Sequence, residues 1–390
     1  LEIYSDNMLY SNWSINMLKS LTLSNFKAFE KPVTIDFSAI GNYSFNTETI
    51  KNGIVKTAVM YGKNASGKSS LGLAIFDIVA NLTDNFVNPR NYINYLNRKT
   101  NNQLSLFEYN FVFGKSEIIY SYSKSDVRTI LSERLTINGK TVIEYDRLKD
   151  KHKLFLSLEG AENVKIDLTQ LNFSALRFIK SNVILKENDE NTAFNQLFSF
   201  VNKMLLFWSL ETREFIGYTP NPGQAIFSEI VKRGHFKDLQ AFFKEAGFED
   251  ELDHRIFNGT EQLLIKYNDK NKLDFGLACS SGMSSLLLVY YWLEDVSVPE
   301  KCPSFIFIDE FDAFYHFELA RIVVEKLRAC NCQVLLTTHN TSLFTNDLLR
   351  PDCFYICSKN KIVNAHNATM KELRLGHNLE KLYRGGTFGK

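Results

Sequence analysis

Eight consecutive residues have the composition and spacing of a phosphate-binding loop. The segment Gly62-Lys63-Asn64-Ala65-Ser66-Gly67-Lys68-Ser69 satisfies the pattern G-x-x-x-x-G-K-[ST]. In such a loop, backbone N–H groups at a helix N-terminus point at phosphate oxygens, and the helix dipole favours their negative charge. We expect Lys68 to reach the β- and γ-phosphates of a nucleotide and Ser69 to hold Mg²⁺, with Ser70 completing the loop. The predicted ligands are therefore a nucleotide and Mg²⁺.

Three further polar side chains stand where apolar runs end. Asp309 and Glu310 directly follow the run 305–308, and His339 follows a second run. In open α/β sheets, ligands bind in the crevice beyond the carboxyl ends of the strands. We expect Asp309 to orient Mg²⁺, partly through water, and Glu310 to polarise the attacking water. A neutral imidazole at His339 would hydrogen-bond the γ-phosphate, so the predicted catalytic residues are Lys68, Glu310 and His339.

Runs of apolar residues indicate the elements that must position these groups. A strand over 57–61 is predicted to lead into the phosphate loop, and a helix over 70–79 to leave it. The runs 304–308 and 333–337 are typical of buried parallel strands, with a helix between them over 318–330. Period-two alternation predicts further strands: a hairpin over 17–37, an antiparallel layer over 104–113, 117–122, 129–136 and 141–145 with a tight Asn138-Gly139 turn, and a hairpin over 262–267 and 273–278.

The middle of the chain has a different pattern. After a charged stretch at 186–191, apolar residues recur at helical spacing from Phe194 to Phe207, and two more helices are predicted over 225–232 and 237–246. The prediction is an α/β fold, with a mixed sheet around the phosphate loop, an antiparallel β layer and a helical insertion. Its parts are residues 1–186, the insertion 187–258 and residues 259–390. The apolar stripes of the insertion form either its own core or an oligomerisation or partner surface.

Bulk composition narrows the function classes. Lysine and arginine number 45 against 44 aspartate and glutamate residues, so no chain-wide basic field indicates a nucleic-acid binder. The longest uncharged apolar run, 286–293, is far too short to span a bilayer. No basic and apolar leader pattern stands at the start of the sequence. The expectation is a cytoplasmic protein without a membrane partner.

The cysteines do not form a zinc-binding pattern. Six are present, and neither Cys330-x-Cys332 nor Cys353-x-x-x-Cys357 belongs to a four-ligand spacing. Most lie in apolar, strand-like runs. Buried free thiols are therefore expected.

The order of the motifs resembles that of the ABC-type ATPase heads of the SMC, RecF and OLD lineage. The shared order is the phosphate loop, Ser280-Ser281-Gly282 opening a helix, the strand ending in Asp309-Glu310, then Asp312, and the strand ending in His339. Residues 21–29 also resemble the first strand of that lineage. The resemblance implies that 1–186 and 259–390 are the two parts of one ATPase head.

The resemblance also implies a second subunit. In such heads the Ser-Gly segment completes the site of a partner, so Ser281 and Gly282 are expected to contact ATP held by the partner copy. The implied assembly is an ATP-sandwiched homodimer or higher homo-oligomer, with Asp312 in the loop that couples the two sites. Stand-alone ATPases of bacterial anti-phage systems, among them the PARIS, Septu and retron-associated systems, are the most similar members, partly because of the tail 376–386.

Some positions depart from the pattern of the lineage. Cys279 precedes the Ser-Gly segment and Met283 follows it. The glutamine that senses Mg²⁺ after the first helix is not clearly present, and Gln103 is the candidate. His316 lies where the lineage has a histidine, and we expect a structural role for it.

Two functional hypotheses remain. One is an anti-phage defence ATPase that acts as sensor and scaffold, controls a separate Toprim-type nuclease and responds to a phage-encoded trigger protein. About 50 residues follow His339, fewer than the ~100 of a Toprim domain. The Arg147-x4-His152 spacing of a ribonuclease lies outside any helical pattern, so no nuclease site is expected in this chain. The other is a RecF-like DNA-repair ATPase, with six scattered basic candidates: Lys149, Lys151, Lys153, Arg177, Lys180 and Lys186.

Overall fold

A computed structural model describes residues 16–85, 88–169, 173–208, 215–217, 226–297, 302–313, 317–359 and 361–389. The strands of the first half of the chain are β1 (Met17–Ser24), β2 (Val33–Asp36), β3 (Ile50–Lys51), β4 (Ile54–Val55), β5 (Thr57–Tyr61), β6 (Ser105–Phe113), β7 (Ser116–Lys124), β8 (Ile130–Ile137), β9 (Lys140–Asp146) and β10 (Leu154–Leu156). Those of the second half are β11 (Met204–Trp208), β12 (Phe215–Gly217), β13 (Glu251–Phe257), β14 (Thr260–Lys266), β15 (Lys272–Asp274), β16 (Phe305–Asp309), β17 (Gln333–Thr337), β18 (Phe354–Ser358) and β19 (Lys361–Asn364).

The helices lie mostly in the second half of the chain. They are α1 (Lys68–Leu82), α2 (Ala175–Asn182), α3 (Asp189–Asn202), α4 (Ile226–Lys232), α5 (Phe236–Glu245), α6 (Phe275–Ala278), α7 (Ser281–Ser297), α8 (Phe317–Ala329) and α9 (Leu379–Arg384). No helix within the described residues is both long enough and apolar enough to cross a lipid bilayer.

A seven-stranded mixed sheet forms the centre of the fold. Its order is β12-β11-β16-β17-β5-β18-β19, in which the five inner strands are parallel and the two edge strands antiparallel. Strands β5, β16 and β17 are buried along their whole length, as their continuous apolar runs predict. The carboxyl ends of these three strands lie side by side at the same end of the sheet. The phosphate loop, Asp309-Glu310 and His339 follow these ends. The predicted α/β architecture around the phosphate loop is confirmed.

The predicted antiparallel layer is a second seven-stranded sheet, of order β10-β9-β8-β7-β6-β1-β2. The hairpin between β8 and β9 turns at Asn138 and Gly139, whose φ angles of 50° and 80° are those of a tight primed turn. Gln333, at the start of β17, ties the two sheets together. Its side-chain amide accepts from Leu18 N and donates to the Leu18 and Val55 carbonyl oxygens, at 2.9, 2.9 and 3.2 Å.

Helix α1 lies between the two sheets and is buried on nearly every side. Asp77 of this helix forms a fully buried ion pair with Lys124 of β7, at 3.0 Å. The Asp77 carboxylate also accepts from the hydroxyls of Tyr95 and Tyr122, both at 2.9 Å. Burial lowers the pKa of Lys124, and the Asp77 carboxylate acts in the opposite direction. The pair therefore fixes the helix of the phosphate loop against the antiparallel layer.

Replacing Lys124 with methionine (Lys124→Met) should be strongly destabilising. The substitution keeps most of the side-chain volume but leaves the Asp77 carboxylate buried without its cation, which typically costs about 3–5 kcal/mol. Urea unfolding followed by circular dichroism measures the free energy of unfolding. The matched control is Lys19→Met, which removes an exposed pair with Glu117 and should cost less than about 1 kcal/mol. Equal losses in the two variants would contradict this account of the Asp77–Lys124 pair.

Three local predictions need correction. The helical spacing from Phe194 to Phe207 predicted one continuous helix, but α3 ends at Asn202 and β11 follows. The short apolar run 204–208 is compatible with either helical or strand periodicity. It forms a strand because it pairs with β16 in the central sheet. The strand predicted over 273–278 stops at Asp274, because the Asp274 side chain caps α6 by accepting from Leu277 N. Strands β13, β18 and β19 were not predicted. The insertion 187–258 thus contains strands as well as helices.

Candidate nucleotide site

The phosphate loop connects the end of β5 to the start of α1. Gly67 has φ of 114°, which strains any residue with a Cβ, and a Cβ there would lie 2.8 Å from the ring of Phe29. Gly72, one turn into α1, packs on Phe307 of β16 so closely that an added Cβ would collide with its ring. Glycine at 67 therefore permits the turn of the loop, while glycine at 72 permits close contact between helix and sheet.

The Lys68 side chain lies across the mouth of the loop. Its ammonium group donates to the Gly62 carbonyl oxygen at 3.0 Å and lies 2.9 Å from His339 Nε2. Because an ammonium group can only donate, Nε2 is the acceptor of this bond. Burial lowers the pKa of Lys68, while the carboxylates of Glu310 and Asp309 act in the opposite direction. The residues predicted to act on the γ-phosphate are thus in direct contact.

Asp309 is buried and uses both carboxylate oxygens. One accepts from Ser69 Oγ at 2.6 Å and the other from Thr337 Oγ1 at 2.7 Å. A serine hydroxyl and a carboxylate are oxygen ligands of the kind that Mg²⁺ takes. The two residues predicted to hold the metal therefore lie side by side, although they come from different ends of the chain.

The backbone of Glu310, which follows the last residue of β16, is not in the extended conformation of the strand. Its backbone has φ of 48°, in the left-handed region that residues with a Cβ rarely adopt. The backbone N–H of Glu310 donates to Thr337 Oγ1 at 2.8 Å, and this bond holds the unusual conformation. The Glu310 carboxylate stays partly exposed, 3.7 Å from His339 Nε2. Thr337 thereby fixes both acidic residues, and the sequence patterns did not predict this role.

Replacing Thr337 with valine (Thr337→Val) should weaken both the fold and catalysis. Valine preserves the shape of this fully buried side chain but removes the bonds to Asp309 and to the Glu310 backbone. Leaving buried polar groups unpaired costs about 1–3 kcal/mol in the free energy of unfolding. We also expect a slower maximal rate of ATP hydrolysis, because Glu310 loses its anchor. Thr337→Ser keeps the hydroxyl and should retain most of the rate. Equal rates in the valine and serine variants would contradict the anchoring role.

A cavity of about 920 Å³ opens in front of these groups. It is lined by the predicted residues Asn64, Ala65, Ser66, Gly67, Lys68, Ser69, Ser70, Glu310 and His339. Among the described residues that line it, the charged side chains are five cationic ones and the carboxylate of Glu310; the cationic ones are Lys27, Lys68, Arg98, Lys99 and Lys359. A cleft lined by one sign of charge concentrates ligands of the opposite sign. The cavity is therefore suited to a polyphosphate.

Two further loops line the cavity, and no residue of either was predicted to contact the nucleotide. One contains Lys27, and the other comprises residues 93–99. The Lys27 backbone N–H donates to the Tyr95 carbonyl oxygen at 3.0 Å, and Lys27 Nζ donates to the Ile93 carbonyl oxygen at 3.0 Å. Asn97 returns a bond to the Lys27 carbonyl oxygen at 2.6 Å. The two loops are thus held together as one wall.

Several predicted residues do not line the cavity. Asp309 lies behind Ser69, and Gly62 contributes its carbonyl oxygen to Lys68, while the Lys63 side chain is exposed. Asp312 accepts from Thr338 Oγ1 at 2.7 Å, next to His339, and burial raises the pKa of its carboxyl group. Gln103 is exposed and donates to the Asn101 carbonyl oxygen, so the structure does not bring it to the site.

The Ser-Gly segment forms the first turn of α7. Ser280 caps this helix, because its hydroxyl accepts from Met283 N at 3.2 Å. Gly282 is not among the described residues that line the cavity of its own chain. His316 lies outside the described residues.

The donor set fits a nucleotide and its metal. Ser69 and Asp309 supply oxygen ligands, and the phosphate loop with Lys68 supplies donors for phosphate oxygens. The Ser66 hydroxyl is buried and has no hydrogen-bond partner among the described residues, so one polar atom of the loop is left unsatisfied. The residues at the site therefore fit the nucleotide and the Mg²⁺ ion that the sequence predicts.

A protein-family profile matches residues 58–345, which include the phosphate loop, Asp309-Glu310 and His339. Its description is "AAA domain, putative AbiEii toxin, Type IV TA system". The chain belongs to this AAA domain family. Family membership supports a nucleotide-binding ATPase domain. No curated protein matches the chain.

Solved structures of SMC head domains are similar to this chain, at 10–15% sequence identity. A head bound to the C-terminal winged-helix domain of ScpA is 15% identical, with 89% of this chain and 97% of that chain covered and a TM-score of 0.44. The SMC head domain from Thermotoga maritima is 15% identical, with coverage of 89% and 98% and a TM-score of 0.40. An Smc head with coiled coil and joint from Pyrococcus yayanosii is 10% identical, with coverage of 95% and 99% and a TM-score of 0.47.

Proposed function

We propose that the protein is an Mg²⁺-dependent ATPase whose active sites form between two copies of the chain. The observation that carries the proposal is the convergence of Lys68, Ser69-Asp309, Glu310 and His339 at one cationic cavity. These groups come from three parallel strands, so the sheet itself sets their separation. Their chemistry is that of phosphoryl transfer to water, in which positioning and charge stabilisation supply most of the catalysis.

Each residue has a distinct role in this proposal. Bound Mg²⁺ would neutralise charge on the β- and γ-phosphates, held by Ser69 and by Asp309, partly through water. Lys68 exchanges its bonds to Gly62 and His339 for bonds to phosphate oxygens. Glu310, partly exposed, accepts a proton from the attacking water. His339, released by Lys68, contacts the γ-phosphate.

The partner copy is inferred from the Ser-Gly segment. Ser281 and Gly282 start a long helix, where backbone N–H groups and the helix dipole favour an anion. Gly282 is not among the described residues that line the cavity of its own chain. In the proposed homodimer both residues contact ATP held by the partner, as the resemblance to ABC-type heads implies. Asp312, hydrogen-bonded beside His339, would couple the two sites.

Mixing two inactive variants tests the shared site. Lys68→Ala and Gly282→Glu should each be inactive alone, the latter because its carboxylate repels the partner's phosphates. In a mixed dimer, one site combines an intact Lys68 with an intact Gly282. With random exchange of subunits in a two-fold dimer, the mixture should recover about a quarter of the wild-type rate. Gly282→Ala, which adds no charge, is the control. A mixture no more active than its parents contradicts the shared site.

The biological role proposed is that of an anti-phage defence ATPase, and the PARIS ATPase AriA is the specific protein that we propose it resembles most. The order of the motifs and the tail 376–386 support this proposal, and the family description names a putative toxin. In this proposal ATP binding sets the state of a scaffold that holds a separate Toprim-type nuclease, and a phage protein triggers release of the nuclease.

A tagged pull-down from the native host, with the neighbouring open reading frame co-expressed, should recover a stoichiometric nuclease. Recovery of DNA without a protein partner contradicts the scaffold.

Within the described part of the chain, four of the six basic candidates of the DNA-repair alternative have polar partners. Of the six basic candidates, Lys149, Arg177 and Lys186 pair with carboxylates, those of Asp146, Asp84 and Glu162, and Lys180 donates to Asn195. A cationic face for DNA requires unneutralised charges. A steep fall in DNA affinity with salt concentration would nevertheless revive this alternative.

A further inference from the structure

The tail of the chain returns to residues 338–346, the loop that carries His339 and is called here the histidine loop. Helix α9 of the tail starts after Asn378, whose side-chain oxygen caps the helix. Glu380 and Arg384 are four residues apart on this helix and therefore share one face. This face lies against the histidine loop.

Three hydrogen bonds join this face of α9 to one hydroxyl of the histidine loop. Thr341 Oγ1 donates to Glu380 Oε1 at 2.9 Å and accepts from Arg384 Nε and Nη2 at 3.1 and 2.9 Å. A hydroxyl has one hydrogen and two lone pairs, so these bonds use its full capacity. Arg384 Nη2 also pairs with Glu380 Oε1 at 2.7 Å. A charged pair therefore holds the backbone two residues after His339.

Further contacts fix the tail on the histidine loop. Asn346 Nδ2 donates to the Arg374 carbonyl oxygen at 2.9 Å. The ring of Tyr383 packs on that of Phe344, with centroids 5.4 Å apart, and Phe388 stacks on Phe344 at 5.5 Å. Phe344 and Phe388 are both buried. Because α9 is fixed by this packing, its charged pair is presented at a defined place.

The other side of the histidine loop is anchored in the central sheet. Thr338 N donates to the Met60 carbonyl oxygen at 3.1 Å, and Thr338 Oγ1 donates to Asp312 at 2.7 Å. The His339 side chain is 40% exposed, and Lys68 Nζ lies 2.9 Å from its Nε2. When Lys68 turns to phosphate oxygens, as in the proposed function, this contact is lost. The residues on either side of His339 must then keep its ring in place.

We propose that Glu380 and Arg384 are positioning residues for ATP hydrolysis, which act through Thr341 to hold His339 against the γ-phosphate. This inference rests on the proposed function of the site. Neither Glu380 nor Arg384 is among the described residues that line the cavity. The Arg384 side chain is 67% exposed, and exposed ion pairs contribute little to the stability of a fold. Loss of the pair should therefore slow the reaction without unfolding the protein or weakening ATP binding.

Substitutions in the full-length chain test this role. Arg384→Ala and Thr341→Val should each lower kcat for ATP between about 5- and 100-fold, because a misplacement of about 1 Å near a reacting group can cost about 100-fold. KM for ATP should stay within about twofold of wild type, since the phosphate loop is unchanged. Thr341→Ser keeps the hydroxyl and should retain more than about half of the wild-type kcat.

The matched control lies in the same tail. Arg374→Ala removes an exposed ion pair with Glu372 and leaves the backbone bond from Asn346 in place, so kcat should not change. Hydrogen exchange followed by mass spectrometry reports the histidine loop directly. Its backbone amides should exchange faster in Arg384→Ala than in wild type, whereas those of the phosphate loop should not change.

The outcomes separate this inference from the proposed function. If the wild-type chain hydrolyses ATP and both Arg384→Ala and Thr341→Val match its kcat, the positioning role is wrong even where exchange becomes faster. Equal losses of kcat in Thr341→Val and Thr341→Ser overturn it as well, because the serine variant keeps the hydroxyl. A wild-type chain that does not hydrolyse ATP overturns the proposed function, and the inference with it.

Discussion

Replacing Glu310 with glutamine (Glu310→Gln) is expected to slow ATP hydrolysis by between about 100- and 10,000-fold, the range that a positioned general base contributes. Glutamine keeps the size of the side chain and can still be held by the backbone bond to Thr337. It cannot take a proton from the attacking water. ATP binding should persist, because Lys68, Ser69 and the phosphate loop are unchanged, and dimers should accumulate with ATP bound.

Phosphate release at saturating ATP measures the rate of hydrolysis, and titration with a fluorescent ATP analogue measures binding. Size-exclusion chromatography with ATP reports the accumulated dimer. Glu318→Gln is the matched control, since Glu318 is exposed in the first turn of α8 and does not line the cavity. The control should hydrolyse ATP like the wild type. If Glu310→Gln does so too, the assignment of the general base is wrong.

Replacing Lys68 with alanine (Lys68→Ala) should weaken ATP binding at least about 100-fold. A charge-assisted hydrogen bond contributes roughly 1.5–3 kcal/mol, and a phosphate-loop lysine bonds both the β- and the γ-phosphate. The substitution also removes the contact that holds His339 Nε2, so hydrolysis should fall below detection. The cavity would keep Lys27, Arg98, Lys99 and Lys359, so a residual affinity for anions is expected.

Isothermal titration with ATP and Mg²⁺ measures this loss directly. Lys31→Ala is the control, since Lys31 is an exposed lysine between β1 and β2 that does not line the cavity. It removes one positive charge without touching the phosphate loop and should leave affinity unchanged. A Kd for Lys68→Ala within threefold of wild type would mean that the loop does not bind the triphosphate in the proposed way.

The sequence predicts those parts of the site that are local in the chain. Gly67, Lys68 and Ser69 are adjacent, so one pattern fixes their mutual geometry. Asp309 and Glu310 are recognisable because charged residues suddenly end a buried strand. Because neighbouring parallel strands end on the same side, His339 is predicted to lie near Lys68 and Glu310. In the structure it lies beside both residues.

The same reasoning could not reach the other wall of the cavity. Lys27 and Arg98 lie in irregular loops, where no period links a residue to the face that it presents. Their positions depend on contacts that only the folded chain makes, such as the bond from Asn97 to the Lys27 carbonyl oxygen. A basic residue next to Asn25-Phe26 was visible, but nothing local distinguished Lys27 from a solvated lysine. The sequence did not indicate that Thr337 holds Asp309 and Glu310, because threonine is a common residue in β-strands.

The order of the central sheet has a consequence for the synthesis of the protein. β5, which leads into the phosphate loop, lies between β17 and β18, so Thr57 pairs with Val334 and Val59 with Phe354. When residues 57–61 leave the ribosome, both of their neighbouring strands are still untranslated. The loop therefore gains its sheet only after β17 and β18 have emerged, and a nascent chain arrested before β17 should not bind nucleotide. Such distant pairing slows folding and exposes strand edges in the meantime, so growing chains would need protection by chaperones.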